Sequence, residues 1–137
     1  MTGTYQHTLD SKGRLFVPAK LREELGDVFY VTIAVDCLNM YSLERWTEME
    51  ERVANMPRQQ RQLMRPIFAN AAKCELDAQG RILLPQNLRE KAGLQKNVTV
   101  VGANNHAELW SSEAWDTVYV EESMPENIAA VMEELDF

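Results

Sequence analysis

Short apolar runs bounded by turn residues divide the chain and predict a mixed α+β fold. The runs RLFVP and RILLP, at residues 14–18 and 81–85, are too short for helices and predict strands. The β-branched runs at residues 28–35 and 97–103 predict further strands. A short helix is predicted after the proline that closes each RLFVP-like run, because proline is tolerated in the first turn of a helix. Each half of the chain is therefore predicted to contain about four strands and two short helices.

The second helix of each half has its own start signal. Ser42 and Ser111 are predicted N-caps, since a serine side chain can accept a hydrogen bond from the first helical turn. The helices that they open are predicted to bury Trp46 and Trp115.

The pattern occurs twice, because residues 7–26 align with residues 74–93 at nine identical positions. Val31 and Thr32 match Val98 and Thr99 at the same spacing, so the two residues gained by the second copy are predicted to follow that strand. One copy, at about 45 residues, is too small for a core of its own. The two copies are therefore predicted to cover each other in a pseudo-twofold, intertwined and β-barrel-like core with short flanking helices.

Each copy contains an Asp-x-x-Gly-Arg turn. We call residues 10–14 the first turn and residues 77–81 the second turn. In such a turn the Asp carboxylate can accept hydrogen bonds from nearby backbone N–H groups, and glycine supplies a positive φ. The structural role of each turn is therefore assigned to Asp10 with Gly13 and to Asp77 with Gly80.

The connection between the copies, residues 48–75, is predicted to be a helical linker with a break near Pro57. Pro66 either kinks a second helix or ends it. The residues of the linker that are predicted to face the core are Met49, Val53, Leu63, Met64, Ile67 and Phe68. The whole chain then divides into repeat 1 (residues 5–47), the linker, repeat 2 (residues 76–119) and an acidic C-terminal tail (residues 120–137).

Charge is distributed unevenly along a chain whose net charge is −7. From Glu108 onward there are nine acidic residues and no Lys or Arg. The other 107 residues hold all 14 basic residues against 12 acidic ones. Two segments are basic, one around the first turn and one at residues 58–73, where no acid interrupts Arg58, Arg61, Arg65 and Lys73. Local charge therefore leaves nucleic-acid binding open in spite of the acidic total.

Several classes of function find no support in the sequence. Cys37 and Cys74 have no second thiol nearby, and His7 and His106 have no metal-ligand spacing. We expect no catalytic constellation, cofactor, metal or small-molecule substrate. No apolar run is long enough to cross a membrane, and the N-terminus lacks a signal-peptide pattern, so a cytoplasmic protein is predicted.

The motifs LDSKGRLFVP and LDAQGRILLP resemble those of the MraZ family, the tandem-repeat members of the AbrB-like, swapped-hairpin transcription regulators found ahead of bacterial division and cell-wall gene clusters. The Asp-x-x-x-Arg signature is present as Asp10 with Arg14 and as Asp77 with Arg81. The segments AELWSSEAW and IFANAAKCELDAQGR also fit, so the resemblance covers about residues 3–120. It implies two AbrB-like swapped-hairpin repeats.

The resemblance also implies a function. It implies sequence-specific binding of double-stranded promoter DNA at short repeated boxes, often in the protein's own promoter, and regulation of a division and cell-wall gene cluster. It implies a homo-oligomeric ring, for example an octamer. Because the resemblance implies DNA binding, it also implies a nucleoid-associated cytoplasmic protein. It further implies that the Asp-x-x-x-Arg motif of the first copy contributes to DNA contact.

Arg14 has two possible roles on the residues alone. It can fork onto a guanine edge or grip a phosphate, or it can pair with Asp10 and only shape the turn. The second role is at least as suitable for Arg81. DNA contact stays open for the residues assigned to the turns, which are Asp10, Gly13, Asp77, Gly80 and Arg81. The first copy is more basic, since Lys12 and Lys20 become Gln and Asn in the second. The predicted DNA-binding residues are therefore Lys12, Arg14, Lys20 and Arg22.

Two alternatives stay open at this point. The chain could instead be an oligomeric protein-interaction scaffold or an antitoxin-like module that occludes another protein. The basic segment at residues 58–73 could pair with acids of a neighbouring subunit, which we favour, or supply a second DNA contact.

Overall fold

The computed structural model describes all 137 residues, which form eight strands and seven helices. The first half and the linker contain β1 (Thr4–Thr8), β2 (Arg14–Phe16), α1 (Ala19–Leu25), β3 (Val28–Ile33), β4 (Leu38–Ser42), α2 (Leu43–Ala54), α3 (Arg58–Leu63) and α4 (Arg65–Ala69). The second half contains β5 (Ala72–Glu75), β6 (Arg81–Leu83), α5 (Gln86–Lys91), β7 (Asn97–Gly102), β8 (Ala107–Ser111), α6 (Ser112–Glu122) and α7 (Pro125–Glu134). The predicted α+β class is confirmed.

Six strands form one antiparallel sheet in the order β1-β7-β8-β4-β3-β5. Strands of the two halves are interleaved in this order, since β1 of the first half pairs with β7 of the second, and β5 of the second half pairs with β3 of the first. The β4–β8 pair joins the halves at the centre of the sheet. Because β1 and β5 lie at free edges, the sheet is open, and the expected barrel-like closure is not observed.

The remaining two strands, β2 and β6, form a separate antiparallel ribbon in which Leu15 lies opposite Ile82. These two side chains are almost completely buried and point toward the sheet. Burying an aliphatic side chain of this size stabilises a fold by about 1.5–3 kcal/mol. The ribbon is therefore anchored by its inner face, which leaves its outer face available.

One hydrophobic core is shared by both halves. It comprises 18 buried residues, and its largest fully buried members in the two short helices are Leu21 and Leu25 of α1 and Leu88 of α5. Phe29 of β3 and Leu109 of β8 belong to the same cluster. Neither half holds a separate core, which fits the expectation that about 45 residues cannot bury one alone.

The strand register shows that the two-residue insertion of the second half lies before β7 and not after it. Val31 lies opposite Met40 in β3–β4, and Val100 lies opposite Leu109 in β7–β8, so Val100 is the counterpart of Val31. The alignment of Val31 with Val98 was therefore wrong. The two extra residues precede β7, in the loop at residues 92–96 that follows α5.

The caps were predicted correctly and the linker only in part. The hydroxyl oxygen of Ser42 accepts a hydrogen bond from the N–H of Arg45, and Ser111 does the same for Ala114. In the linker, no residue of α3 is buried, and the Leu63 side chain is 78% exposed. The predicted core position of Leu63 was therefore wrong. Pro66 neither kinks nor ends a helix but lies in the first turn of α4, where a proline costs no hydrogen bond.

The acidic C-terminal segment is mainly helical and contains the end of α6 and the whole of α7. Helix α6 contacts the sheet, and its Trp115 is half-buried against Trp110, so burial of Trp115 is only partial. Every residue of α7 is exposed. None of the seven helices combines the length and the apolar composition that a membrane crossing requires.

Candidate nucleic-acid interface

The first turn is held together by a single carboxylate. Asp10 accepts hydrogen bonds at Oδ1 from the backbone N–H groups of Lys12 (3.0 Å) and Arg14 (2.8 Å). Its Oδ2 accepts one from Nε of Arg14 at 2.6 Å. These contacts, led by the Arg14 backbone N–H, lower the pKa of Asp10 to about 2. The carboxylate is therefore charged at any physiological pH, and it fixes the Arg14 side chain.

Both roles considered for Arg14 are compatible in this geometry. Asp10 uses only Nε of the guanidinium, and the terminal nitrogens of Arg14 form no hydrogen bond within the chain. The Arg14 side chain is 35% exposed. A guanidinium held in this way keeps a planar pair of N–H donors, which is the geometry that reads the O6 and N7 atoms of guanine or grips a phosphate.

The second turn repeats the same hydrogen bonds. Asp77 accepts at Oδ1 from the N–H groups of Gln79 and Arg81, each at 2.9 Å, and at Oδ2 from Nε of Arg81, also at 2.9 Å. The backbone N–H of Arg81 is the main cause that lowers the pKa of Asp77. The geometry of the turn alone therefore does not distinguish the two copies.

The β2–β6 ribbon places the two turns at its opposite ends. Arg14 lies opposite Leu83, and Phe16 lies opposite Arg81. These four side chains alternate with the buried pair at the centre of the ribbon, so they share its outer face. Phe16 is 40% exposed and Leu83 62% exposed. The outer face therefore shows two anchored arginines on either side of two apolar side chains.

Each turn is supported by an arginine of the other half. Gly13 has φ +82°, and the Arg89 guanidinium occupies the space beside it: a Cβ added at Gly13 would lie 2.7 Å from Cζ of Arg89. Gly80 has φ +79°, and a Cβ added there would lie 2.5 Å from Nη1 of Arg22. Each glycine therefore provides both a left-handed conformation and room for an arginine.

The two supporting arginines are held differently. Nε of Arg89 donates to the carbonyl oxygen of Leu84 at 3.1 Å. Nε of Arg22 is buried without a hydrogen-bond partner, and its guanidinium lies 5.3 Å from the centre of the Phe16 ring. That distance is in the range of a cation–π interaction, which Leu83 cannot offer to Arg89.

The loops that contact the turns differ in charge. The N–H of Leu9, before the first turn, donates to the carbonyl oxygen of Lys96 at 2.8 Å. The N–H of Leu76, before the second turn, donates to the carbonyl oxygen of Asp27 at 2.9 Å. Lys96 and Asp27 each precede a strand and are exposed. A cation therefore lies beside the first turn where an anion lies beside the second.

The structure divides the four predicted DNA-binding residues into two pairs. Lys12 and Arg14 lie in the first turn, where Lys12 is exposed. Arg22 of α1 packs on the second turn, and Lys20 of the same helix is exposed. Just before this helix, the N–H of Val17 donates to the carbonyl oxygen of Gly80 at 3.0 Å, which holds the start of the helix beside the second turn. The basic segment that is continuous in sequence therefore spans both ends of the ribbon.

Sequence reasoning missed Arg89 and Lys96, which contribute positive charge to the first turn from the second half. The alignment held a signal for Lys96, because a two-residue insertion in one copy marks a local difference in structure. Because the alignment placed the insertion after β7 and not before it, the difference was not linked to Lys96. The reciprocal packing of Arg22 and Arg89 had no signal, because it depends on how the halves pair.

Comparisons with known proteins agree with the resemblance. A family model described as "MraZ protein, putative antitoxin-like" matches residues 1–64 and 67–135, and each matched segment contains one Asp-x-x-Gly-Arg turn. The chain is 46% identical over 140 residues to "Transcriptional regulator MraZ" of Caldicellulosiruptor saccharolyticus, covering 98% of each chain.

Two further relatives carry the same name. The protein of Halothermothrix orenii is 46% identical over 139 residues, covering 97% of this chain and 96% of its own length. The protein of Acetivibrio thermocellus is 44% identical over 135 residues, covering 95% and 94%. The similarity thus includes both turns and most of the C-terminal helices.

Proposed function

The chain belongs to the MraZ family, and from that premise we propose that it is a DNA-binding transcriptional regulator whose contact surface is the outer face of the β2–β6 ribbon. The observation that carries the proposal is the pairing of that exposed face with arginines whose Nε atoms are fixed by carboxylates. Three relatives that cover almost the whole chain are named transcriptional regulators.

A two-stranded ribbon has the dimensions to enter the major groove of B-DNA. With the ribbon in the groove, the free terminal nitrogens of Arg14 form a bidentate contact with a guanine edge. Lys12, which is exposed and lies two residues earlier in the turn, contacts the phosphate backbone. Phe16 and Leu83 supply apolar contacts such as those made with thymine methyl groups.

The first turn is proposed as the principal contact. Around it, Lys12, Arg14, Arg89 and Lys96 surround one acid, Asp10, whose charge is already used within the turn. Around the second turn, the charges of Arg81, Lys20 and Arg22 are opposed by both Asp77 and Asp27. The second turn is therefore proposed to serve mainly the fold, with any DNA contact by Arg81 secondary.

The targets and the assembly are proposed from the family resemblance. We infer that short repeated boxes in the protein's own promoter, ahead of a division and cell-wall gene cluster, are bound by a ring of subunits in the nucleoid. A ring that presents one first turn per subunit to successive boxes gains by avidity, commonly 10²- to 10⁴-fold. Multiplicity thus compensates for the net charge of −7.

The internal organisation proposed is that of two AbrB-like swapped-hairpin repeats, at residues 5–47 and 76–119, joined by the linker at residues 48–75 and followed by residues 120–137. Support comes from the exchanged edge pairings β1–β7 and β3–β5, which are equivalent under exchange of the halves. The halves also pair directly through β4–β8 and through the β2–β6 ribbon.

A protein-interaction scaffold or antitoxin-like module is the second candidate, and one observation favours it. Helices α6 and α7 combine acidic residues with exposed apolar side chains, including Val131 and Met132, which are 53% and 48% exposed. Arg58, Arg61 and Arg65 are exposed on α3 and α4. We favour pairing of this basic surface with acids of a neighbouring subunit over a second DNA contact.

The test is a mobility shift on the DNA upstream of the protein's own gene, with Arg14→Ala and Arg81→Ala as matched variants. Each variant loses the same hydrogen bond, from the arginine Nε to the Asp of its turn. If circular dichroism shows that both variants fold equally well, a difference in binding between them reports the contact with DNA. We expect Arg14→Ala to abolish specific binding and Arg81→Ala to retain most of it. Unchanged binding by Arg14→Ala contradicts the assignment, and a wild-type protein that ignores this DNA favours the scaffold.

A further inference from the structure

An open groove of about 560 Å³ lies beside the first turn, on the side of the α5–β7 loop. The residues that line it and bear on its chemistry are Asp10, Ser11, Arg89, Gln95 and Lys96. We propose that this groove binds a backbone phosphate of the DNA that the first turn contacts, with Lys96 as the main cation. The proposal rests on the proposed function and extends its site to a residue of the second half.

The backbone fixes Lys96 next to the first turn. Its carbonyl oxygen accepts the N–H of Leu9, the residue immediately before Asp10. The side chain is exposed and takes part in no ion pair of the chain. Glu113 and Asp116 line a neighbouring groove together with Lys96, but neither lies within ion-pair distance of it. The ammonium group is therefore available to an external anion.

The other polar groups of the groove also suit an anion. Arg89 places its guanidinium against Gly13, and only its Nε has a partner within the chain. Gln95 and Ser11 are exposed residues that carry neutral hydrogen-bond donors. The one acid, Asp10, already accepts two backbone N–H groups and Nε of Arg14. Phosphate oxygens are the ligands that fixed guanidinium and ammonium groups prefer.

The position of the groove matches what DNA binding requires. It lies next to the turn that carries Arg14, so a duplex whose base edge meets Arg14 passes its backbone close to Lys96. Phosphate contacts beside a base contact set the register of a protein on DNA. The second turn has no such partner, because Asp27 occupies the place of Lys96 and repels a phosphate.

The experiment compares Lys96→Ala with Lys91→Ala in mobility shifts on operator and on random duplex over a range of salt concentrations. Lys91 is exposed at the end of the neighbouring helix and has the same charge, but it does not line the groove. One phosphate contact adds about 0.9 to the salt slope, which amounts to roughly fivefold in affinity at 0.15 M salt. We expect Lys96→Ala to lose about that much for each bound subunit on both DNAs, and Lys91→Ala to lose little.

Each other outcome has a defined meaning. Equal salt slopes and affinities for Lys96→Ala and Lys91→Ala, with specific binding retained, overturn the phosphate site and leave the proposed function standing. A loss by Lys96→Ala on operator but not on random duplex overturns it as well, because a phosphate contact carries no sequence information. Failure of the wild-type protein to bind either DNA overturns both proposals.

Discussion

The first and second turns have the same hydrogen bonds but different neighbours. In each, one carboxylate accepts two backbone N–H groups and the Nε of an arginine four residues later. The first turn adds Lys12 and lies beside Lys96, whereas the second has Gln79 and lies beside Asp27. A repeated motif can therefore keep one conformation in surroundings of different charge.

The largest expected effect comes from replacing the arginines by lysine. Arg14→Lys keeps the charge but loses the planar fork and the Nε bond to Asp10. A bidentate base contact contributes about 1–3 kcal/mol of discrimination, so we expect a loss of roughly 10- to 100-fold in the ratio of operator to random DNA affinity. Arg81→Lys should reduce this ratio much less. Equal losses in competition assays would remove the distinction between the turns.

The glycines test what the turns share. Gly13→Ala and Gly80→Ala place a Cβ within 3 Å of an arginine guanidinium, and both residues have a positive φ. We expect each to lower the free energy of unfolding by about 1–3 kcal/mol. Gly93→Ala is the control, because its φ is +63° but no atom lies within 4 Å of the added Cβ.

Urea denaturation of the three glycine variants measures the contribution of the arginine packing. Losses at Gly13 and Gly80 that exceed the loss at Gly93 assign the excess to displacement of Arg89 and Arg22. If all three losses are equal, backbone strain alone explains them, and the reciprocal support of the turns has no energetic weight.

The charge difference within the turns is tested by exchanging one pair of residues. Lys12→Gln should lower the salt slope of operator binding by about 1 for each bound subunit, which is the expected value for one phosphate contact. Gln79→Lys adds the same charge to the second turn and should leave the slope nearly unchanged. A rise in slope with Gln79→Lys as large as the fall with Lys12→Gln would show that both turns contact DNA.

The smallest effect concerns acid stability. The pKa of Asp10 is lowered from 3.8 to about 2 in the folded protein, so its contribution to stability is complete above the unfolded value and is lost as the pH falls through about 2. Asp10→Asn removes this contribution. Wild type and Asp10→Asn should therefore differ in thermal midpoint above about pH 4 and converge near pH 2. A constant difference over that range would mean that the carboxylate's charge has no role in the fold.

Much of this architecture can be predicted from the chain itself. The repeat, the positive-φ glycines, the prolines before α1 and α5 and the caps at Ser42 and Ser111 are local features, and local chemistry determines them. The open sheet was not predictable in this way, because closure depends on how edge strands pair in three dimensions.

The candidate site was only half predictable for the same reason. Lys12 and Arg14 are adjacent in sequence and stay adjacent in the structure, so composition was enough to select them. Lys20 and Arg22 are only a few residues further on, yet the ribbon carries them to its other end, beside the second turn. Lys96 is brought to the first turn by a backbone contact, and its one signal in the sequence is the two-residue insertion of the second copy.

The most direct test of the central claim is to exchange the charges in and around the turns while leaving the Asp, Gly and Arg of both turns in place. A variant with Lys12→Gln, Gln79→Lys, Lys96→Asp and Asp27→Lys keeps the net charge of −7. Arg14→Ala and Arg81→Ala are then compared in this background by operator mobility shift. We predict that the variant depends on Arg81 for DNA binding and tolerates the loss of Arg14. Continued dependence on Arg14 would contradict the claim that neighbouring charge selects the turn that binds DNA.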